Sequence, residues 1–292
     1  MLKNEDSAVR VVSYPDYKET EIYIKLIEQL KKAGASYREI DLSKFGSVNI
    51  SSYIKETGDS GNVISVGGDG TALKGMFMSY ISETVFLPLG LGEIGYLVNS
   101  DKRKYTKLIK QVIDNKFDST IISSRAVISC STVDPEWPVF NEIAITKSGS
   151  NTLLEFNIKV NKETIELKAD GIVISTSGGS TAYSYSAGGP IVDPSLDSVV
   201  ITPIAPFSKF PRSIVLPSNA LIKIGIGTPK YYKSIGEAKY DIFFDGVVVS
   251  ERLKTIDSNE TSLDIKQNDR KVNILGVSNE VNVTEFLSQI LR

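Results

Sequence analysis

The sequence predicts an α/β domain followed by an all-β domain, and three observations carry that reading. Up to about residue 117, short apolar strands alternate with stretches of helical spacing. Beyond about residue 118, apolar residues alternate with polar ones instead. Turn-forming residues then recur at short intervals, as in Lys147-Ser148-Gly149-Ser150 and Asp245-Gly246.

Val9 to Ser13 is a short apolar strand. Ile22, Ile24, Leu26, Ile27 and Leu30 follow in a helical stretch, and Gly34 ends it. Tyr37 to Leu42 reads as a second strand, and Val63 to Val66 as a third that runs straight into glycines. A helix from about Thr71 to Ile81, a strand from Val85 to Leu89 and a helix from Lys102 to Asp114 complete the set. Such alternation builds a parallel sheet covered by helices. Later, Leu154, Phe156, Ile158 and Val160 alternate with Glu155, Asn157 and Lys159, and Ile222, Ile224 and Ile226 do the same around Lys223 and Gly225. Strands with one wet face suit a β-sandwich. Val283 to Leu291 regains helical spacing through Phe286, Leu287, Ile290 and Leu291. The domains are therefore read as residues 1–117 and 118–275, with 276–292 packing back onto the first.

Composition narrows the function. The 292 residues suffice for two domains, each with its own core. A formal net charge of -2 offers no general attraction to phosphate backbones, so nucleic acid is not an expected partner. No run of about 18 apolar residues suggests a membrane span. Met1 to Asp6 is polar and the next apolar run breaks at Tyr14-Pro15, so no signal peptide is expected and the default compartment is the cytoplasm. Cys130 is the single cysteine, which excludes an intrachain disulfide, and its apolar neighbours mark it as a small core residue. Histidine is absent altogether. That removes Ser-His-Asp hydrolysis and imidazole metal sites, and leaves acid–base work to Asp, Glu, Lys or Tyr.

The strongest local signal is Gly67-Gly68-Asp69-Gly70-Thr71, between a buried strand and a helix. Glycines let the backbone approach a ligand, and the helix start offers N–H groups to a phosphate. Asp69 then stands where it could take a proton or help hold Mg²⁺. The structural alternative is a strand-to-helix turn with Asp69 as N-cap. Gly90-Leu91-Gly92-Glu93-Ile94-Gly95 fits a dinucleotide fingerprint, yet it lies late in its domain and opens no clear helix, against a dehydrogenase. Glycine-lysine-Ser/Thr follows no glycine loop, so there is no P-loop.

A third segment, from Asp170-Gly171 through Ser177-Gly178-Gly179-Ser180-Thr181-Ala182-Tyr183-Ser184-Tyr185-Ser186 to Ala187-Gly188-Gly189-Pro190, is dense in small hydroxyl residues and glycines. It can hydrogen-bond ribose, phosphate or adenine, and Tyr183 offers a stacking face. The bland alternative is a Gly/Ser turn. Asn141-Glu142, before the strand Ile143-Ala144-Ile145, reads alone as a solvated strand end.

Together these segments resemble the NAD kinase family, which carries a glycine-glycine-aspartate-glycine-threonine loop, an asparagine–acid pair and the long hydroxyl-rich segment in this order. The resemblance continues through Pro194-Ser195-Leu196-Asp197, Thr202-Pro203-Ile204-Ala205-Pro206, Arg212 and Val215-Leu216-Pro217, covering most of residues 60–250. The first loop is shared with lipid kinases and phosphofructokinases; the long segment is more specific. Three departures stand out. The family's proline-threonine-glycine is Ser177-Gly178-Gly179, a common histidine is Phe207, and the stretch from Gly92 to Leu97 carries Ile94 and Tyr96.

The resemblance implies a Rossmann-like α/β domain and a β-sandwich holding substrate between them, in a homodimer or homotetramer. It implies phosphoryl transfer from ATP, or another polyphosphate donor, to the 2′-hydroxyl of the adenosine ribose of NAD. Asp69 would be the base, with Gly67, Gly68, Gly70 and Thr71 contacting donor phosphates and Mg²⁺ bridging donor oxygens. Lys74 matches a basic ligand-contacting position. Asn141, Glu142, Lys168, Asp170, Thr181, Ala182, Tyr183, Ser184 and Ser186 would bind NAD. The alternatives are a lipid kinase of the diacylglycerol or sphingosine type, which would need an apolar acceptor pocket, and a non-catalytic dinucleotide sensor.

Overall fold

Four short parallel strands begin the sheet of the first unit. The computed structural model describes residues 8–44, 60–92, 95–132, 137–149, 152–207, 212–230, 238–249 and 261–277. It divides into Met1–Arg125 with Lys271–Arg292, and Ala126–Arg270. In the first unit β1 (Val9–Ser13), β2 (Tyr37–Asp41), β3 (Val63–Gly67) and β4 (Phe86–Gly90) run parallel in the order β2-β1-β3-β4. Every residue of β1, β3 and β4 is buried, as in a sheet covered on both faces.

The first helix, Glu21–Lys32, starts at Thr20, whose hydroxyl accepts the Tyr23 N–H at 3.4 Å. It buries Tyr23, Leu26 and Leu30, and the chain leaves it through Gly34 at φ +61°. The helix Tyr105–Asp114 buries Tyr105, Leu108, Ile109 and Val112 along one stripe. It begins later than the sequence predicts. Asp101 accepts the Arg103 N–H at 3.2 Å, and Lys102–Lys104 form a 3₁₀ turn instead of the first helical turn.

Beyond β4 the sheet gains the strand Val272–Leu275, parallel to β4, and β5 (Ile122–Arg125), antiparallel at the edge. Residues 122–125 lack helical spacing, which groups them with the later part in sequence, but they pair into the first sheet. The predicted helix Val283–Leu291 lies outside the described residues.

In the second unit the strands are β6 (Ile128–Cys130), β7 (Trp137–Val139), β8 (Glu142–Lys147), β9 (Leu154–Val160), β10 (Glu163–Ala169) and β11 (Gly171–Thr176). They are followed by β12 (Ser198–Ile204), β13 (Ile214–Pro217), β14 (Ile222–Gly227), β15 (Tyr240–Phe244), β16 (Val247–Val248) and β17 (Thr261–Gln267). These twelve make two six-stranded sheets, ordered β10-β9-β14-β17-β6-β7 and β13-β12-β11-β8-β15-β16. The first shows the predicted alternation: Leu154, Phe156 and Ile158 are buried while Asn157 and Lys159 are exposed. Cys130 is buried within it. In the second sheet β11 is buried along its whole length and feeds directly into the hydroxyl-rich segment. No helix among the described residues is long and apolar enough to cross a membrane.

Candidate functional site

Each unit contributes one group of candidate residues. In the first, β2 and β3 lie on opposite sides of β1, so the strand order reverses between β1 and β3. Loops at the carboxyl ends of strands flanking such a reversal form a crevice where α/β sheets bind ligands. The loop Gly67–Thr71 leaves β3 at that end. Gly67 is buried, and a Cβ there would run into the Thr71 side chain, itself buried beneath the turn. Gly68 and Gly70 are exposed, with open space where a Cβ would stand.

The helix Asp69–Ser82 starts inside this loop. Its N-cap is Gly68, with no side-chain hydrogen bond, so Asp69 is not the cap that the structural alternative supposed. The half-buried Asp69 carboxylate instead accepts N–H groups from Tyr96 at 3.1 Å and Leu97 at 3.0 Å. These bonds fix its orientation and leave further lone pairs for a ligand. Because the contact is to backbone, tyrosine at position 96 leaves it intact. Lys74, one turn along the helix, donates from Nζ to the Tyr14 hydroxyl at 2.6 Å and lies 5.0 Å from the Tyr14 ring centroid. Tyr14 follows β1, which brings a cation to the same end of the sheet. Nothing in the sequence pattern marks Tyr14.

In the second unit the hydroxyl-rich segment is ordered as a 3₁₀ turn, Gly178–Thr181, and a single helical turn, Tyr183–Ser186. Thr181 and Ala182 are half-buried, Ser186 is exposed, and Tyr183 is 40% exposed, which leaves a ring face for stacking. Ser184 differs from its neighbours. It is fully buried, and its hydroxyl pairs with that of Thr202 at 2.9 Å, so it packs the turn onto β12. A Cβ on Gly179 would land on the Asn141 backbone. Gly179→Ala is therefore expected to cost about 1–3 kcal/mol of stability, measured by thermal melting. An unchanged melting temperature would show that the two segments are not in close contact.

Asn141-Glu142 is not the solvated strand end that the dipeptide alone suggests. Glu142 is only 7% exposed, and its Oε2 is buried with no hydrogen-bond partner among the described residues. Burial, and to a lesser degree the neighbouring Asp245, push its carboxyl up to about 8 against the pull of the Tyr183 N–H. Asp245 turns its carboxylate inward, accepting N–H groups from Phe140 at 2.9 Å, Asn141 at 2.7 Å and Glu142 at 3.1 Å. Burial lifts it to about 6 against the pull of those three donors. In sequence, Asp245-Gly246 reads only as a turn.

Lys168 and Asp170 flank the junction of β10 and β11. Lys168 lies 3.4 Å from Glu155, and Asp170 lies 2.6 Å from Lys147. The described structure thus gives both charges partners within their own unit.

Comparison with known proteins gives the family. Residues 140–252 match the family model for the ATP-NAD kinase C-terminal domain. NAD kinase of Methanosphaera stadtmanae is 31% identical over 238 residues, spanning 80% of this chain and 78% of the relative. NAD kinase of Acetivibrio thermocellus is 28% identical over 237 residues, spanning 78% and 82%. The fold is shared with an Archaeoglobus fulgidus NAD kinase solved in complex with ATP, at TM-score 0.70 and 20% identity over 97% of this chain and 98% of that one. It is shared equally with yeast NADH kinase solved with NADH, at TM-score 0.74 and 21% identity over 97% and 87%. The chain is thus a phosphotransferase acting on an alcohol group. It belongs to the NAD kinase family.

Proposed function

We propose that the protein transfers the γ-phosphoryl group of ATP to the 2′-hydroxyl of the adenosine ribose of NAD, forming NADP and ADP. The observation that carries this reading is Asp69, a carboxylate anchored by two backbone N–H groups within an open glycine loop at a helix start. Asp69 accepts the hydroxyl proton as the ribose oxygen bonds to the γ-phosphorus and the bond from that phosphorus to the bridging oxygen breaks. Phosphoryl transfer depends chiefly on positioning and charge neutralisation, and this site offers both. The first-turn N–H groups and Gly67, Gly68, Gly70 and Thr71 cradle donor phosphates, and Lys74 supplies a positive charge. Asn141, Glu142, Thr181, Ala182, Tyr183 and Ser186 hold the dinucleotide, with Lys168 and Asp170 at the margin and Ser184 supporting the turn from beneath.

Among the described residues no group of three or more acidic, histidine or cysteine side chains could hold a metal. Mg²⁺ commonly binds through substrate phosphates together with one or two carboxylates of the protein. Bound there, it would supply charge neutralisation at the donor phosphates, and Asp69 is the residue that would hold it. The family resemblance also carries the expectation of a cytoplasmic homodimer or homotetramer.

Incubation with ATP, Mg²⁺ and NAD should produce NADP, read by an NADP-specific dehydrogenase, and omission of ATP should abolish it unless polyphosphate is supplied. No NADP under either donor would remove the proposal. A smaller effect is expected at Tyr183. Tyr183→Ala should weaken NAD binding by roughly 1–2 kcal/mol, the scale of a lost stacking contact. Unchanged affinity by calorimetry would mean that the exposed ring does not meet the ligand.

A further inference from the structure

The backbone of Phe140, Asn141 and Glu142 is held at every polar group, and two side chains do most of the holding. Asp245 takes all three N–H groups, and its own N–H donates to the Glu142 carbonyl at 3.0 Å. From the other side, the Thr176 hydroxyl donates to the Phe140 carbonyl at 2.7 Å and the Thr176 N–H donates to the Asn141 carbonyl at 2.9 Å. A buried backbone needs such partners, but side chains seldom supply so many to one tripeptide. Asp245 is itself fixed by a tight turn. It has φ +46° and Gly246 has φ +79°, the two positive angles that a two-residue hairpin between Phe244 and Val247 requires.

We propose that Asp245 is a positioning residue of the dinucleotide site: its ionised carboxylate fixes the backbone that presents Asn141 and Glu142, and its charge leaves the proton on Glu142, whose Oε2 donates a hydrogen bond to the ligand. This rests on the reading that NAD binds at Asn141-Glu142. The division of charge follows from the donors. Asp245 receives three N–H groups, while Glu142 receives one, from Tyr183, and keeps a buried oxygen without a partner among the described residues. Two buried carboxylates this close do not both ionise readily, and the one that accepts more hydrogen bonds takes the charge. Of the described groups facing Glu142, the residue across on β11 is the neutral Ser175, and Asp245 is the charged one. Neutral Glu142 is then both donor and acceptor, suited to a hydroxyl or amide of the ligand rather than to a cation.

The test combines kinetics with spectroscopy on the full chain. Asp245→Asn turns an NH₂ toward N–H donors and should raise KM for NAD about 10-fold or more, with KM for ATP little changed. Glu142→Gln keeps a neutral donor and should cost about 3-fold in KM for NAD, against at least about 10-fold for Glu142→Ala. In the wild type at pH 7, an infrared band of a protonated carboxyl should be present and should vanish in Glu142→Gln; this reading stands even if Asp245→Asn fails to fold. Wild-type KM for NAD in a folded Asp245→Asn, no protonated-carboxyl band, or equal losses in the two Glu142 variants would each overturn the proposal. Normal NAD affinity in Glu142→Ala would overturn it by a separate route, since the underlying placement of NAD would then be wrong while Asp245→Asn could still show a defect.

Discussion

Asp69→Asn is expected to lower kcat by about 100-fold or more while NAD affinity stays close to wild type, because general-base help is worth about 10²–10⁴-fold. The asparagine side chain matches aspartate in size but cannot take a proton from the ribose hydroxyl. It also keeps only one oxygen, so one of the two N–H groups of Tyr96 and Leu97 loses its partner. That structural loss costs about 1 kcal/mol, too little to mimic the loss of a base. Single-turnover kinetics with NAD bound separate the two effects, since the chemical step is then observed directly. Near-normal turnover in a folded variant would remove Asp69 from the role of base.

Stability should fall as pH rises from about 5 to 8, and Glu142→Gln should abolish much of that fall. The sign follows from the raised carboxyls. Glu142 moves from 4.5 to about 8 and Asp245 from 3.8 to about 6 on folding. Between those limits the unfolded chain has released protons that the folded chain still holds, so each rise in pH favours unfolding. Below the lower limits both states are protonated and the penalty is absent; above the upper ones it is complete. One pH unit over such a window corresponds to about 1.4 kcal/mol. Glu142→Gln should therefore be more stable than wild type at pH 8, on the order of 4 kcal/mol, and nearly equal to it at pH 4. Thermal melts across that range provide the check. A variant no more stable than wild type at pH 8 would mean that Glu142 ionises in the fold without penalty.

Local pattern made some features legible and tertiary structure supplied others. β1 ends where its sequence pattern says: Val9, Val11 and Val12 give it the apolar character of a strand buried on both faces, and the buried Arg10 guanidinium donates to the Gly61 carbonyl and the Ser82 and Thr84 hydroxyls. The glycine loop was legible for a similar reason: only glycines tolerate the approach of Thr71 beneath Gly67. The burial of Glu142 was not legible in its dipeptide. Its burial depends on Asp245, 104 residues beyond Asn141, folding back to take the N–H groups of the tripeptide. No spacing rule joins two acids so far apart, and Asp245-Gly246 satisfies turn chemistry without further explanation. Tyr14 escaped notice likewise, since only the parallel pairing of β1 with β3 brings it to Lys74. Ser184 shows the opposite error: composition groups it with exposed hydroxyls, while one helical turn points it inward at Thr202.

The central claim is that this glycine loop directs the donor's terminal phosphate to a ribose hydroxyl of NAD. The most direct measurement follows ATP labelled in its γ-phosphate, with Mg²⁺, NAD and diacylglycerol vesicles in one incubation. The label should appear in NADP at the 2′ position, one equivalent for each ADP formed, with Asp69→Asn reducing it by about 100-fold. Label found in the lipid, or only in free phosphate while NAD stays unmodified, would contradict the account.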